Sequence, residues 1–164
     1  LDQLFKWLTD SELEQPQVFV HRDYHSRNIM LVPQETPGII DFQDAVYGPI
    51  SYDLLSLLRD CYIEWPDYKV QQWVGYFIER SEWDLDATQF EQWFDWMGLQ
   101  RHIKVAGIFA RLNYRDGKSG YLKDIPLTLR YIVRQAEKYS QLEEFTDWMN
   151  QKILPAMVSL EKIQ

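Results

Sequence analysis

The sequence predicts an α+β fold in which a few short strands around one polar loop precede a mostly helical part. Three short apolar runs of β type, at residues 18–20, 29–32 and 38–40, lie near the start of the chain. After Gly48-Pro49 the apolar residues change to the spacing of amphipathic helices. We therefore expect a small platform of strands and loops followed by a larger helical mass.

Each predicted helix rests on a stripe of apolar residues. Residues 1–9 are typical of the end of a helix, and a second helix is predicted from Ser51 to about residue 62. Gly98 is a candidate break, and Pro155 is expected to kink or stop the last helix. The remaining stripes have i, i+3, i+4 or similar spacing. Their members are Val70, Trp73, Val74 and Phe77; Phe90, Trp93, Phe94 and Met97; Val105, Ile108, Phe109 and Leu112; Ile125, Leu129, Ile132, Val133 and Ala136; and Leu142, Phe145 and Met149.

Composition and charge exclude several classes of protein. Of the 164 residues 46% are hydrophobic, which is enough for a core and excludes a disordered chain. The formal net charge of −8 argues against nucleic acid as a partner, because the phosphate backbone would be repelled. The same charge suits a cationic partner, carboxylates around a metal, or a solvated acidic surface. No apolar run is long enough to predict a membrane-spanning helix, so no membrane partner is expected.

The single cysteine indicates the redox compartment, and the first residue indicates the extent of the chain. Cys61 has no second cysteine to pair with, which is typical of a reducing, cytoplasmic setting. It lies in the apolar run 54–62, so we expect a buried structural thiol rather than a nucleophile. The chain begins at Leu1 inside an apolar-periodic segment, from which we expect a fragment of a longer protein.

One constellation of polar residues indicates chemistry. Asp23 and Asn28 lie five residues apart in the loop between two predicted strands, and Asp41 follows the next strand. A carboxylate and an amide oxygen can hold Mg²⁺ while water and phosphates complete its octahedral shell. A further carboxylate can face an acceptor hydroxyl and take its proton. The set therefore has the groups that phosphoryl transfer requires.

The pattern resembles a known family. His21-x-Asp23-x-x-x-x-Asn28 is similar to the catalytic loop shared by protein kinases and the aminoglycoside phosphotransferase family, and Ile40-Asp41-Phe42 is similar to the metal-binding strand end that follows it. Longer strings resemble one branch, the bacterial anomeric sugar kinases that act on N-acetylmuramate and N-acetylglucosamine in peptidoglycan recycling. These strings are VFVHRDYHSRNIM, GIIDFQDAVYGPISYDLLSLLRDCY and MGLQRHIKVAGIFARLNYRDGK. The resemblance covers nearly the whole chain and implies a protein-kinase-like C-terminal lobe.

The resemblance also implies a role for each motif residue. Asp23 would be the catalytic base, and Asn28 and Asp41 the Mg²⁺ ligands. His21 would anchor the loop against the metal strand. Asp53 would brace the loop through its backbone N–H groups, as a buried carboxylate needs such donors. The family's Phe-Gly after the metal aspartate is Phe42-Gln43 in this sequence, which argues against a flexible loop flip.

Four further residues are candidates for binding the substrate. His25 is equally interpretable as a hydrogen-bonding loop residue, and Asp44 is placed to reach metal-bound water or substrate. Arg59 and Arg101 have the charge to bind a carboxylate or sugar oxygens, although solvated helix faces are the ordinary position for such residues. His102, beside Arg101, is more typical of a helix surface or core edge than of a ligand contact.

These observations predict the C-terminal lobe of an ATP- or GTP-dependent, Mg²⁺-requiring sugar kinase. The chemistry would be transfer of the γ-phosphoryl group to the anomeric hydroxyl of an amino sugar. One alternative is an aminoglycoside or other small-molecule acceptor, which the acidic charge suits. Another is a non-catalytic binding or scaffold domain, although such a domain is expected to have lost the catalytic groups that this sequence retains.

The nucleotide-binding half of such an enzyme is not found in residues 1–164. The sequence has no glycine-rich phosphate loop and no strand lysine with a helix glutamate partner. We therefore expect an N-terminal lobe outside these residues, and an inactive fragment without it. Apolar surface left uncovered by that lobe is expected to favour self-association of the fragment.

Overall fold

Most of the chain is helical in the computed structural model, which describes residues 1–33 and 37–161. The chain forms two units. One comprises Thr9–Met97 and contains every strand of the described residues, and the other comprises Leu1–Leu8 together with the residues from Gly98 onward.

The helices of the described residues follow the predicted apolar stripes closely. They are α1 (Asp2–Leu13), α2 (Ser51–Leu58), α3 (Asp67–Arg80), α4 (Ala87–Asp116), α5 (Ile125–Ala136), α6 (Glu143–Trp148) and α7 (Leu154–Glu161). Short 3₁₀ segments occupy Ser26–Asn28, Ser119–Asp124 and Ser140–Leu142. Within the two described ranges, no helix combines the length and the apolarity needed to cross a bilayer.

In the part of the chain that the structure describes, four short strands pair into two antiparallel ladders. Strand β1 (Gln17–Val20) pairs with β4 (Val46–Pro49), and β2 (Ile29–Met30) pairs with β3 (Gly38–Ile39). The chain leaves β1 through a polar loop to reach β2, and leaves β3 through residues 40–45 to return to β4. Both polar segments therefore connect the same two ladders, and this topology brings them side by side.

Strand β4 was not predicted, because Gly48-Pro49 is typical of a turn. Pro49 is tolerated because it occupies the last position of the ladder, opposite Gln17. Strands β2 and β3 are shorter than their apolar runs: β2 ends at Met30 and β3 at Ile39. The expectation of an α+β chain, mostly helical with few short strands, is confirmed.

The described residues of the unit Thr9–Met97 contain an apolar core cluster. Its buried members come from the segment before α2 and from helices α2, α3 and α4: Ile50, Leu55, Leu58, Val70, Val74, Phe90, Phe94 and Met97. Helix α2 ends at Leu58, four residues earlier than predicted, and the backbone N–H of Arg59 closes its last turn on Leu55. Cys61 is buried, as expected for a structural thiol.

Pro155 follows a local change of helix type. Residues Met149–Ile153 form a π-helical segment, and Pro155 is the second residue of the α-helix that begins next. Proline has no N–H to donate to the preceding turn, so the regular α-helical ladder is interrupted there. The expected irregularity thus takes the form of a π segment.

Helix α4 runs for 30 residues without the expected break at Gly98. The glycine instead makes room for Gln135, whose side chain is 1% exposed. The Gln135 amide oxygen lies 3.3 Å from Nδ1 of His102, and the His102 ring stacks on Tyr131 with centroids 4.9 Å apart. His102 is fully buried, so it belongs to the core rather than to the helix surface.

Gly98→Ala is expected to destabilise the protein by about 1–3 kcal/mol. A methyl group at this position would lie 2.1 Å from Nε2 of Gln135, so the buried amide would have to move away from His102. The matched control is Gly107→Ala in the same helix, where a methyl group meets nothing within 4 Å. This control is expected to stabilise by up to about 1 kcal/mol through helix propensity. Urea unfolding of both variants measures the difference, and equal stabilities would contradict the packing argument.

Candidate active site

Helix α2 holds the beginning of the loop that follows β1. Asp53, in the first turn of the helix, accepts a hydrogen bond of 2.6 Å from the backbone N–H of His21 and one of 3.1 Å from that of Arg22. Both carboxylate oxygens are used in this way. The two backbone donors at the loop entrance are therefore satisfied by a single charged side chain.

His21 links this loop to the strand end that precedes Asp41. Its ring is 4% exposed, and Nε2 lies 2.9 Å from the carbonyl oxygen of Ile40, to which it donates. Its Nδ1 then serves as an acceptor for the backbone N–H of Asp23 at 3.3 Å. One neutral tautomer satisfies both contacts, so the imidazole connects the two polar segments without a charge.

A second carboxylate, which is buried, holds the far end of the loop. Asp60 is 2% exposed. Its Oδ2 accepts from the backbone N–H of Ser26 at 3.0 Å and from the Ser26 hydroxyl at 2.5 Å. Its Oδ1 accepts from the backbone N–H of Tyr62 at 3.0 Å. The sequence analysis missed Asp60, since its partner in the loop is 34 residues away and leaves no local signal.

Asn28 is oriented by contacts that leave its amide oxygen available. Its Nδ2 donates to the backbone oxygen of Asp23 at 2.9 Å, and its backbone oxygen accepts from the N–H of Ile40 at 3.1 Å. The first contact closes the loop over five residues. The second joins the loop to the segment that carries Asp41.

Two residues of the site have left-handed backbone conformations. Asp41 has a φ of 68° and Arg22 a φ of 74°. Such conformations cost about 1–3 kcal/mol for residues other than glycine and tend to occur at functional sites. Gln43 donates to Oδ1 of Asp41 at 2.6 Å, and Nη1 of Arg22 donates to the Asp44 carbonyl at 3.4 Å. These contacts fix the turn that presents the Asp41 carboxylate.

The donor set suits a hard divalent cation that also binds phosphate. Asp23 and Asp41 are exposed and Asn28 is half-buried. No group of three or more His, Cys, Asp or Glu with metal-binding geometry occurs in residues 1–33 and 37–161. One carboxylate and one amide oxygen, those of Asp41 and Asn28, are fewer ligands than a complete protein cage supplies, which fits Mg²⁺, since that ion usually keeps water and substrate oxygens.

The residues considered for substrate binding occupy different surroundings. The half-buried His25 lies edge-on to the ring of Tyr62 at 5.6 Å, and Asp44 is exposed. Arg59 is 7% exposed and pairs with Asp67 at 2.7 Å, so its charge is neutralised inside its own unit. Arg101 is also 7% exposed and belongs to the other unit.

Arg27 is a cation of the loop that the sequence analysis did not single out. It is exposed, and its guanidinium carbon lies 3.4 Å from the centroid of the Tyr62 ring. Asp60 binds the backbone N–H of Tyr62, so the ring beneath Arg27 is fixed by the same carboxylate that holds Ser26. The loop therefore presents a positive group one residue before Asn28.

An exposed apolar surface borders the polar residues. It is formed by the ladder β2–β3 and the residues that follow each strand: Met30, Leu31, Val32, Ile39 and Ile40. Leu31 is 99% exposed and the others between 38% and 48%. Apolar side chains concentrated in this way mark a surface that binds something.

Comparison with known proteins agrees with the geometry. A family model described as "Phosphotransferase enzyme family" matches residues 1–93. The chain is 51% identical over 135 residues to an N-acetylmuramate/N-acetylglucosamine kinase of Neisseria meningitidis, a match covering 79% of this chain and 40% of the relative. It is 44% identical over 144 residues to the enzyme of that name from Pseudomonas putida, which covers 84% of this chain and 42% of the relative. A shorter match, 41% identical over 46 residues, is to methylthioribose kinase 2 of Oryza sativa and covers 28% of this chain and 10% of that protein.

The chain thus spans about two fifths of the length of the bacterial relatives. The family model covers more than half of its residues, including the polar loop, the strand end at Asp41 and helix α2. The chain belongs to the phosphotransferase enzyme family.

Proposed function

We propose that the protein transfers the γ-phosphoryl group of ATP to the anomeric hydroxyl of N-acetylmuramate or N-acetylglucosamine. The observation that carries the proposal is the loop between β1 and β2, which is held at both ends by Asp53 and Asp60 and presents Asp23 to solvent. The names of the bacterial relatives support the choice of acceptor. The products would be a sugar 1-phosphate and ADP, with the hydroxyl proton removed by the enzyme.

In this proposal Asp23 is the general base. Its carboxylate accepts the proton of the sugar hydroxyl as the oxygen forms its bond to phosphorus. Oδ1 of Asn28 and the carboxylate of Asp41 would hold Mg²⁺, which supplies neutralisation of the phosphate charge when bound. Arg27 adds a positive group beside Asn28. His21 keeps the loop and the Asp41 segment together and takes no proton.

The exposed surface of the β2–β3 ladder is the proposed support for the nucleotide base. Asn28 directly precedes β2, and Asp41 follows β3 with only Ile40 between them, so the apolar ladder and the phosphate-binding residues are continuous. An aromatic base stacks favourably on such side chains. ATP and GTP both present this base surface, and the ladder by itself favours neither.

We place residues 1–164 as the C-terminal lobe of the enzyme, with a further lobe covering the nucleotide. The length of the relatives supports a further lobe, since the chain corresponds to about two fifths of each. We expect the 164-residue chain by itself to show no turnover. The exposed β2–β3 surface is then the candidate site for self-association of the isolated chain.

The test is a phosphorylation assay on the protein as its gene encodes it. ATP consumption and sugar 1-phosphate formation are followed with N-acetylglucosamine, N-acetylmuramate and kanamycin as acceptors, with and without Mg²⁺. We expect Mg²⁺-dependent product with the two amino sugars and none with kanamycin. Product with kanamycin alone would replace the proposed acceptor, and no turnover with any hydroxyl acceptor would favour a non-catalytic binding domain.

A further inference from the structure

A cavity of about 410 Å³ adjoins the entrance of the catalytic loop. It lies within the unit Thr9–Met97. Strand β1, the loop, helix α2 and the turn after α3 form its walls. Its volume is within the range of about 300–1,000 Å³ that is usual for sites of small molecules. None of the residues proposed to bind Mg²⁺ or phosphate lines this cavity.

We propose that this cavity binds the ring of the acceptor sugar, with Trp83 as the stacking platform and Glu82 as the carboxylate that binds sugar hydroxyls. The inference rests on the proposed function and adds to it the place where the N-acetylated amino sugar binds.

The position of the cavity relative to the base supports this assignment. Tyr24 and Asp53 both line it. Asp53 accepts hydrogen bonds from the backbone of His21 and Arg22, which precede Asp23 in the loop. Tyr24 follows Asp23 directly. Asp23 is therefore flanked along the chain by residues that contact or line the cavity, and its Cα lies about 3.8 Å from that of Tyr24. We expect a sugar bound there to present a hydroxyl to Asp23.

The lining of the cavity suits an N-acetylated sugar. It is mostly apolar, with Phe19, Phe77 and Trp83 among its aromatic members and Leu54 and Leu57 on helix α2. Aromatic rings pack against the C–H face of a sugar and leave its hydroxyls at the edge. Small apolar side chains accommodate the methyl group of an N-acetyl substituent.

The turn after α3 is held in a fixed shape. The backbone N–H of Trp83 donates to the hydroxyl of Ser81 at 3.1 Å, and both residues line the cavity. The Trp83 side chain is 47% exposed, so one part of it is supported while another faces solvent. A partly exposed tryptophan on a fixed turn loses little conformational entropy when a ring stacks on it.

The charges around the cavity favour a neutral or anionic sugar over a polycation. Glu82 and Asp53 are the carboxylates in the lining, and both oxygens of Asp53 already accept backbone hydrogen bonds. Glu82 is exposed and acts as an acceptor for hydroxyl groups. One available carboxylate is enough to orient hydroxyls, whereas an aminoglycoside carries several ammonium groups that each need a partner.

The nucleotide belongs at the opposite end of the loop. Asn28 precedes β2, whereas the cavity is bounded by β1, from which the loop departs. Donor and acceptor thus approach Asp23 from the two ends of one loop.

The experiment compares Trp83→Ala, Trp83→Phe and Glu82→Gln in the protein as its gene encodes it, with N-acetylglucosamine as the varied substrate. We expect Trp83→Ala to raise the KM for the sugar by about tenfold or more while the KM for ATP changes less than twofold. Trp83→Phe should recover most of the affinity because it keeps an aromatic face. Glu82→Gln should raise the KM for the sugar severalfold. Thermal unfolding of each variant checks that the fold is intact.

The matched control is Trp148→Ala. Trp148 is 43% exposed, close to the value for Trp83, but belongs to the other unit. We expect this variant to retain both KM values. An active enzyme whose KM for the sugar is unchanged by Trp83→Ala would overturn the cavity assignment and leave the proposed function standing. A wild-type protein that phosphorylates no amino sugar would instead overturn the proposed function.

Discussion

Replacing Asp23 by asparagine is expected to lower kcat by about 10²–10⁴-fold, the contribution usual for a positioned general base. The amide keeps the size of the carboxylate but does not take a proton at neutral pH. Asp23 is exposed, and its hydrogen bonds with the described residues are made by its backbone, whose N–H donates to His21 and whose oxygen accepts from Asn28. The fold and the nucleotide affinity are therefore expected to be retained.

Steady-state kinetics with the protein as its gene encodes it measures the loss, and a fluorescent nucleotide analogue measures binding independently. Asp147→Asn is the control, because Asp147 is an exposed aspartate on helix α6, in the other unit. Wild-type turnover in Asp23→Asn would show that Asp23 is not the base. A parallel loss of nucleotide binding would indicate a structural role.

Asp60→Ala is expected to lower the free energy of unfolding by about 3–5 kcal/mol. The substitution leaves the backbone N–H groups of Ser26 and Tyr62 and the Ser26 hydroxyl without their acceptor in a place that is 2% exposed. Each hydrogen bond to a charged group contributes about 1.5–3 kcal/mol, and part of the loss is recovered when water enters. A loss of this size is exceptional for one residue.

Urea denaturation of the purified protein gives the change, and Ser26→Ala provides a graded comparison. That variant removes one of the three hydrogen bonds and keeps the two made by backbone donors, so a loss of about 1.5–3 kcal/mol, smaller than that of Asp60→Ala, is expected. If Asp60→Ala were no less stable than Ser26→Ala, the backbone contacts of Asp60 would contribute nothing to holding the loop.

Local patterns in the sequence were sufficient for most elements of the fold. The i, i+3, i+4 stripes predict helices α3 to α5 because each has buried apolar residues at that spacing. Gly98 was predicted to break a helix, but it lies inside α4. The side chain of Gln135 fills the space that a Cβ at this position would take. The local pattern also missed β4, since Gly48-Pro49 has the local signature of a turn and only the pairing with β1 makes it a strand.

Part of the candidate site is predictable from local sequence patterns, and part depends on contacts between residues that are far apart in the chain. The loop residues Asp23 and Asn28 and the strand end at Asp41 are recognisable because their spacing along the chain is itself the signal. Asp60 was not predicted because it lies inside an apolar run. Its function depends on a contact with Ser26 that no local pattern encodes. Arg59 was a candidate for substrate binding because of its charge. In the structure its guanidinium pairs with Asp67.

Helix α2 also sets the spacing between the two ends of the loop that it holds. Asp53 in its first turn fixes one end of the loop, and Asp60, just beyond its last turn, fixes the other. Each residue of an α-helix adds about 1.5 Å of length and about 100° of rotation. Deleting or inserting a single residue between the two aspartates would turn one of them away from its partners. This stretch of chain therefore does not accept changes of length, and an alignment gap within it would mark a relative whose catalytic loop is held differently.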